Sequence, residues 1–204
     1  YLDFSDTLKL LRIRGDAMQN AVPKGEGGMV AVLGSNIDQL EKILKSNKKN
    51  FKAEIANDNS DGQIVLSGKN IELDKLIEVL KLNKVKNIKL PVSAPFHCEL
   101  MMNASMVMQS EINKFNFNQF TVPLYSNVTS LPCREEEIKR ILVEQIVKKV
   151  RWREIVINML NDGVQRFIEI GPGNVLTNLV KRMSKEITSI SISKVDDFEK
   201  LDNI

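Results

Sequence analysis

One histidine occurs among the 204 residues: His97, in the run Pro91-Val92-Ser93-Ala94-Pro95-Phe96-His97-Cys98. An imidazole titrates near neutrality, so a lone histidine is a candidate general base. It follows a loop bracketed by prolines and opens an apolar, methionine-rich stretch that reads as a helix. At such a junction a rigid scaffold positions a side chain without a strand burying it. A histidine satisfied in the core or at a cap would have the same local sequence, so its neighbours matter. Cys98 comes next, but consecutive side chains on a helix point about 100° apart, a poor geometry for a nucleophile and its base. Arg14 lies one turn before Met18 at the edge of an apolar stripe, where its planar fork can meet a carboxylate with two parallel N–H bonds. Gly171-Pro172-Gly173 stands at a strand-to-helix junction, with Leu176 where a dinucleotide cradle needs a third glycine, so a tight turn is expected. No Ser or Cys sits in Gly-x-Ser-x-Gly, the elbow that exposes a nucleophile.

The elements that must position these groups follow from periodicity. Ser5-Asp6 starts a helix with Leu8, Leu11, Gly15 and Met18 at helical spacing, running out near Val22-Pro23. After the flexible Gly25–Gly28 link, Met29–Gly34 reads as a strand. Ser35 or Asn36 then caps a helix carrying Ile37, Leu40, Ile43 and Leu44. Phe51–Ala56 and Gln63–Ser67 are strands joined by a turn-rich Asn57–Gly62. Asn70 opens a helix with Leu73, Leu76, Ile77 and Leu80, and Val85–Leu90 is a strand. This β-α-β-β-α-β order is that of a ferredoxin-like sandwich, bounded by Gly25–Gly28 and Pro91. Beyond it the pattern predicts a helix over Cys98–Phe115, an extended run over Thr121–Val128, and helices over Glu135–Lys149 and Trp152–Leu160. A strand at Phe167–Ile170, a helix with Val175, Leu176, Leu179 and Met183, and a strand at Ser189–Ser193 complete the chain. Strands alternating with helices suggest a parallel α/β sheet with fewer strands than such sheets normally have.

Composition narrows the classes. A 43% hydrophobic chain of this length can bury a real core, and no stretch approaches the roughly 20 apolar residues of a membrane span. The start, Tyr1-Leu2-Asp3-Phe4-Ser5-Asp6, has neither the basic nor the apolar region of a signal peptide. Cys98 and Cys133 are too few for a disulfide framework and lack metal-ligand spacing, so free thiols and no metal are expected. A net charge of +3 does not imply nucleic acid. Basic clusters at Lys48, Lys49 and Lys52, at Lys148, Lys149, Arg151 and Arg153, and at Lys181, Arg182 and Lys185 are solvated faces or a docking surface for an acidic partner. The βαββαβ unit lacks the paired surface aromatics on which RNA bases stack.

Five ordered runs carry a resemblance: Arg14-Gly15-Asp16-Ala17-Met18-Gln19 with Ala21-Val22-Pro23; Ala56–Val65; Leu90–His97; Val150-Arg151-Trp152; and Glu169–Leu176. Together they resemble the malonyl-CoA:acyl carrier protein transacylase family over essentially the whole chain. The resemblance implies an α/β fold, with an α/β-hydrolase-like large domain over residues 1–24 and 92–204, N-terminally incomplete. A ferredoxin-like small domain over residues 25–91 is inserted in it. It implies transfer of malonyl from CoA to the phosphopantetheine thiol of acyl carrier protein through an acyl-serine, for fatty acid biosynthesis, with no cofactor. The family's serine, in a Gly-His-Ser-Leu-Gly elbow, would lie about a dozen residues before Tyr1, which makes this chain the C-terminal part of such an enzyme. By the same resemblance His97 is the base, Gln145 orients it through its backbone carbonyl, and Arg14 pairs with the malonyl carboxylate, with Met18 beside it. Phe96 narrows the acyl pocket, and Asn57 and Asn59 form a turn near the cleft. Lys149 and Asp61 stand where proline is usual and Asp58 where an aromatic is usual, changes that touch the cleft rim and docking surface. The expected partners are acyl carrier protein and malonyl-CoA, with neither nucleic acid nor membrane. Richness in Lys, Asn and Ile suggests an AT-rich genome, hence bacterial cytoplasm or a parasite's relict plastid (apicoplast). Two alternatives remain open: the acyltransferase domain of a polyketide synthase, and an inactive carrier-protein-binding fragment.

Overall fold

The computed structural model describes residues 1–203. It is a mixed α/β protein in two compact units, Tyr1–Trp152 and Arg153–Ile204. Among the described residues no helix is long and apolar enough to cross a membrane.

The first unit opens with α1 (Phe4–Gln19), followed by β1 (Gly27–Leu33), α2 (Ile37–Ser46), β2 (Ala53–Ser60), β3 (Gln63–Lys69), α3 (Asn70–Leu82) and β4 (Lys86–Lys89). The four strands form one sheet in the order β2-β3-β1-β4, with every neighbouring pair antiparallel. Alternation sends Val30 and Val32 of β1, with Ile64 and Leu66 of β3, to one face. Leu40 and Ile43 of α2 and Leu73, Leu76 and Leu80 of α3 cover that face. Met29, Ala31, Ala56 and Val65 form the opposite face, against which Leu90 and Phe96 pack. The sheet is thus a platform whose second face seats the residue before His97.

A second core joins α1 to α4 (Met102–Ile112) and the segment around α5 (Ile138–Glu144) through Leu10, Met18, Ala94, Met101, Met108 and Ile146. Phe96 packs against this core too, so it is shared by both.

The structure bears out some sequence expectations and changes others. Asn36, not Ser35, caps α2, its side chain accepting from the Gln39 N–H. Asn70 opens α3 as expected, and its amide donates to the carbonyls of Gly25 and Gly27, tying α3 to the start of β1. β2 continues through Asn57, Asp58 and Asn59 to Ser60, where a turn was expected. Val150 runs alongside: the Asp58 N–H donates to its carbonyl at 2.9 Å and its N–H donates to Ala56 O at 2.8 Å. Satisfying those backbone groups holds an Asn/Asp-rich segment extended against its turn preference, at the cost of two register shifts along β2. The helix expected over Cys98–Phe115 is a 3₁₀ turn, Glu99–Met101, leading into α4. No strand forms over Thr121–Val128, which holds only an isolated bridge from Tyr125 to Pro132. The Ser126 hydroxyl accepts from the N–H groups of Val128 and Thr129 and bends the chain there. The helix expected to reach Lys149 stops as α5 at Glu144 and continues as tight turns.

In the second unit, α6 (Trp152–Asn161, beginning at the junction) precedes β5 (Arg166–Ile170), α7 (Val175–Met183) and β6 (Thr188–Ile192). β5 and β6 pair in parallel as a two-stranded sheet. The tight turn read at Gly171-Pro172-Gly173 is present, with Gly171 at φ 142° and Gly173 at φ 88°, which glycine tolerates best. Asn174 makes no side-chain cap, and Glu169 reaches over from β5 instead, accepting from the N–H groups of Leu176 at 3.1 Å and Thr177 at 2.8 Å.

Candidate active site

His97 is held in the left-handed region at φ 57°. Few residues other than glycine adopt this conformation, although histidine is enriched among them, and it costs about 1–3 kcal/mol unless the surroundings impose it. The surroundings here do. On the N-terminal side the Ser67 hydroxyl of β3 donates to Phe96 O at 2.6 Å. The Cys98 thiol donates to Pro95 O at 3.0 Å. Pro95 packs on Gly27, where an added Cβ would stand 2.4 Å from the proline ring. Gln19, at the end of α1, donates to the Ser93 hydroxyl at 2.9 Å. The prolines, the glycine of β1 and these bonds fix a loop that turns the imidazole out of the two cores.

The ring meets the far end of α5. Its Nδ1 lies 2.9 Å from the backbone carbonyl of Gln145. A carbonyl only accepts, so Nδ1 carries the proton and Nε2 presents a bare lone pair. That carbonyl is available because α5 has ended, and the last carbonyls of a helix lack partners within it. Burial pulls the His97 pKa below its usual value; the Gln145 bond pulls it up, and the Arg14 charge pulls it down again. The imidazole is therefore neutral at pH 7 and ready to take a proton.

Arg14 reaches the same residue. Its Nη2 donates to the Gln145 side-chain oxygen at 2.8 Å. Burial lowers the Arg14 pKa, and the guanidinium still remains charged at any physiological pH. Gln145 thus holds the base through its backbone and the cation through its side chain. Two hollows are lined by the residues it holds. One, of about 610 Å³, is lined by His97 with Glu54, Glu99, Met102, Val147 and Lys148. The other, apolar and about 290 Å³, is lined by Arg14 with Leu10, Leu11, Met108 and Leu142. His97 and Arg14 line different hollows, with Val147 lining the first and Leu142 the second.

The other expected residues fall at varied distances from this pair. Phe96 adjoins His97 and is half-buried between the two cores. Met18 is only 4% exposed and packs in the helical core, lining neither hollow. Asn57 and Asn59 are half-buried on β2, Asn57 opposite Val150, within an extended strand. Cys98 is fully buried, and burial pushes its thiol up to about 11, so it stays protonated and is no nucleophile. Arg151, from the fourth of the five runs, donates to the carbonyls of Val128 and Thr129, which explains it as a loop tie. Sequence reasoning missed the Gln145 side chain, Ser67 and Gly27. Gly27 lay in a glycine-rich link, the one local sign of close packing; nothing local marked the other two.

The acyl transferase domain model matches residues 2–199. The chain belongs to the acyl transferase domain family. The chain is 37% identical over 201 residues to the malonyl CoA-acyl carrier protein transacylase of Bacillus subtilis (strain 168), covering 97% of this chain and 63% of that protein. The crystal structure of malonyl CoA-acyl carrier protein transacylase from Clostridium perfringens superposes with a TM-score of 0.95 at 38% identity, over 99% of this chain and 64% of that one. A malonyl-transacylase in complex with a type II polyketide synthase acyl-carrier protein superposes at 0.93 with 30% identity, over 100% of this chain and 67% of that one. The chain thus spans just under two thirds of the length of the first two relatives.

Proposed function

We propose that this chain supplies the base, the carboxylate reader and the acyl-pocket wall of a malonyl-CoA:acyl carrier protein transacylase. The observation that carries the reading is Gln145 joining His97 and Arg14. Its relatives' malonyl transfer calls for such a pair: a base to activate a hydroxyl and then a thiol, and a fixed cation to select an acid-bearing acyl group. In this reading the elbow serine of the family is the nucleophile. Nε2 of His97 takes its proton as the oxygen adds to the malonyl thioester, and returns it to the departing CoA sulfur. The same nitrogen then takes the proton of the carrier's phosphopantetheine thiol, the sulfur adds to the acyl-serine, and the proton goes back to the serine oxygen. The guanidinium of Arg14 meets the malonyl carboxylate, and Phe96 limits room beside the acyl carbon. Asn57 and Asn59 belong to the cleft margin, and Met18 supports Arg14 from the core. The chemistry calls for no cofactor and no metal. The large portion (residues 1–24 and 92–204) is read as an α/β-hydrolase-like domain, and residues 25–91 as an inserted ferredoxin-like one, supported by the 2-3-1-4 antiparallel strand order. The relatives named are bacterial, which favours the bacterial cytoplasm over a plastid.

The test is transfer from malonyl-CoA and acetyl-CoA by the full-length enzyme. Arg14→Ala should lower the malonyl-to-acetyl ratio of kcat/KM roughly 10- to 100-fold, the worth of a charge-assisted contact. An unchanged ratio removes Arg14 from that role. His97→Ala should lower both rates by about 10²–10⁴-fold. The likeness to a type II polyketide malonyl-transacylase supports a second reading in which the acceptor is a polyketide carrier, and comparing the two carriers as acceptors separates them.

A further inference from the structure

The Gln145 side chain has an acceptor pointed at the Arg14 guanidinium, and an amide there does something a carboxylate would undo. Arg14 and Gln145 are 131 residues apart and come together at 2.8 Å, part-buried. Arginine is donor-only, so the contacting atom of Gln145 must be its carbonyl oxygen, whichever way the amide was placed. That oxygen fixes one N–H of the guanidinium but carries no charge. The remaining N–H groups and the whole positive charge stay available, and the fork is held in one orientation before a ligand arrives. A glutamate at the same place would orient Arg14 equally well, but would neutralise it and repel an incoming carboxylate.

We infer that the Gln145 side chain is a positioning residue that preorganises Arg14 for a carboxylate-bearing acyl group, separately from the backbone carbonyl that orients His97. This rests on the malonyl-selecting reading of Arg14 given above. Gln145 therefore couples selection and proton transfer through two different atoms, and substitution of its side chain touches only the first.

The experiment compares wild type, Gln145→Met, Gln145→Glu and Arg14→Ala in the full-length enzyme, with malonyl-CoA and acetyl-CoA as probes and the His97 ring followed by ¹⁵N NMR. Met has nearly the length of Gln and no comparable acceptor. Gln145→Met should lower the malonyl-to-acetyl ratio of kcat/KM about tenfold, through KM for malonyl-CoA, while the ring keeps its Nδ1–H signature. Gln145→Glu should lower the ratio further at pH 8 and regain part of it toward pH 5.5, as the new carboxylate takes up a proton. A ratio unmoved by Gln145→Met while Arg14→Ala collapses it overturns the inference and leaves the selecting role of Arg14 standing. Equal losses on both substrates with the Nδ1–H signature gone would mean general disruption, and overturn it too. A ratio unmoved by Arg14→Ala refutes the selecting role and the inference together.

Discussion

Gly27→Ala tests whether packing between β1 and the proline loop is what holds His97 in place. The new Cβ would lie 2.4 Å from Cδ, 2.5 Å from Cγ and 3.1 Å from Cβ of Pro95. Ordinary carbon contacts are about 3.5–4.0 Å, so the ring must withdraw by about 1 Å. It has little freedom to do so, since Pro95 is buried and the next residue, Phe96, is wedged between two cores. Gly27 does not have a positive φ, so the methyl group is the whole perturbation. Overpacking of this kind costs about 1–3 kcal/mol, which for a chain of this size lowers Tm by roughly 2–12 °C. The loop shift should also loosen the imidazole from its buried position and raise its pKa toward the usual value. Calorimetry and an NMR titration of the single histidine read both effects on this chain. Gly15→Ala is the control: it is a helical glycine with nothing within 4 Å of the added carbon, and should stabilise by about 0.5–1 kcal/mol. If Gly27→Ala leaves both Tm and the His97 titration where they were, the loop is not held by that contact.

Further outcomes follow from the site and the second unit. Because burial and Arg14 depress the His97 pKa, the acid limb of kcat/KM should lie below pH 6.5, with the rate rising as pH increases through it and level at neutrality. Stability has the same sign: the unfolded chain holds the extra proton, so stability is full above about pH 6.5 and is lost as pH falls through the folded pKa. Arg14→Met should move the NMR midpoint of His97 upward, and a midpoint above 7 in the unsubstituted chain refutes the neutral-base assignment. Glu169→Ala removes the cap on α7 and should cost about 1 kcal/mol in urea unfolding. Burial alone would raise the Glu169 pKa, but the N–H groups of Thr177 and Leu176 outweigh it and leave it lowered. The capping contribution should therefore persist above the usual carboxylate pKa and vanish only as pH falls below it. An unchanged midpoint for the variant at pH 7 sinks the capping role.

Much of this protein was determined by neighbours in the sequence. The apolar spacing of Leu40 and Ile43, or of Leu73, Leu76 and Leu80, specifies helices with one buried face, and those residues do line the first core. Asn36 at the start of α2, the glycines before β1 and the Gly171–Gly173 turn were legible because capping and positive φ depend on one or two residues at a time. His97 and Arg14 could be singled out because side-chain chemistry is local. What they do depended on contacts between residues far apart in the chain. Val150 keeps Asn57–Asn59 extended where local preference says turn. The end of α5 at Glu144 frees the carbonyl that sets the tautomer of His97 from 48 residues away. Gln145 meets Arg14 across 131 residues. Periodicity records which face of an element is apolar, but not which backbone group remains unpaired once elements pack. That is decided only when the chain closes on itself, because a freed carbonyl or an aimed amide is a property of the contact and not of the residue.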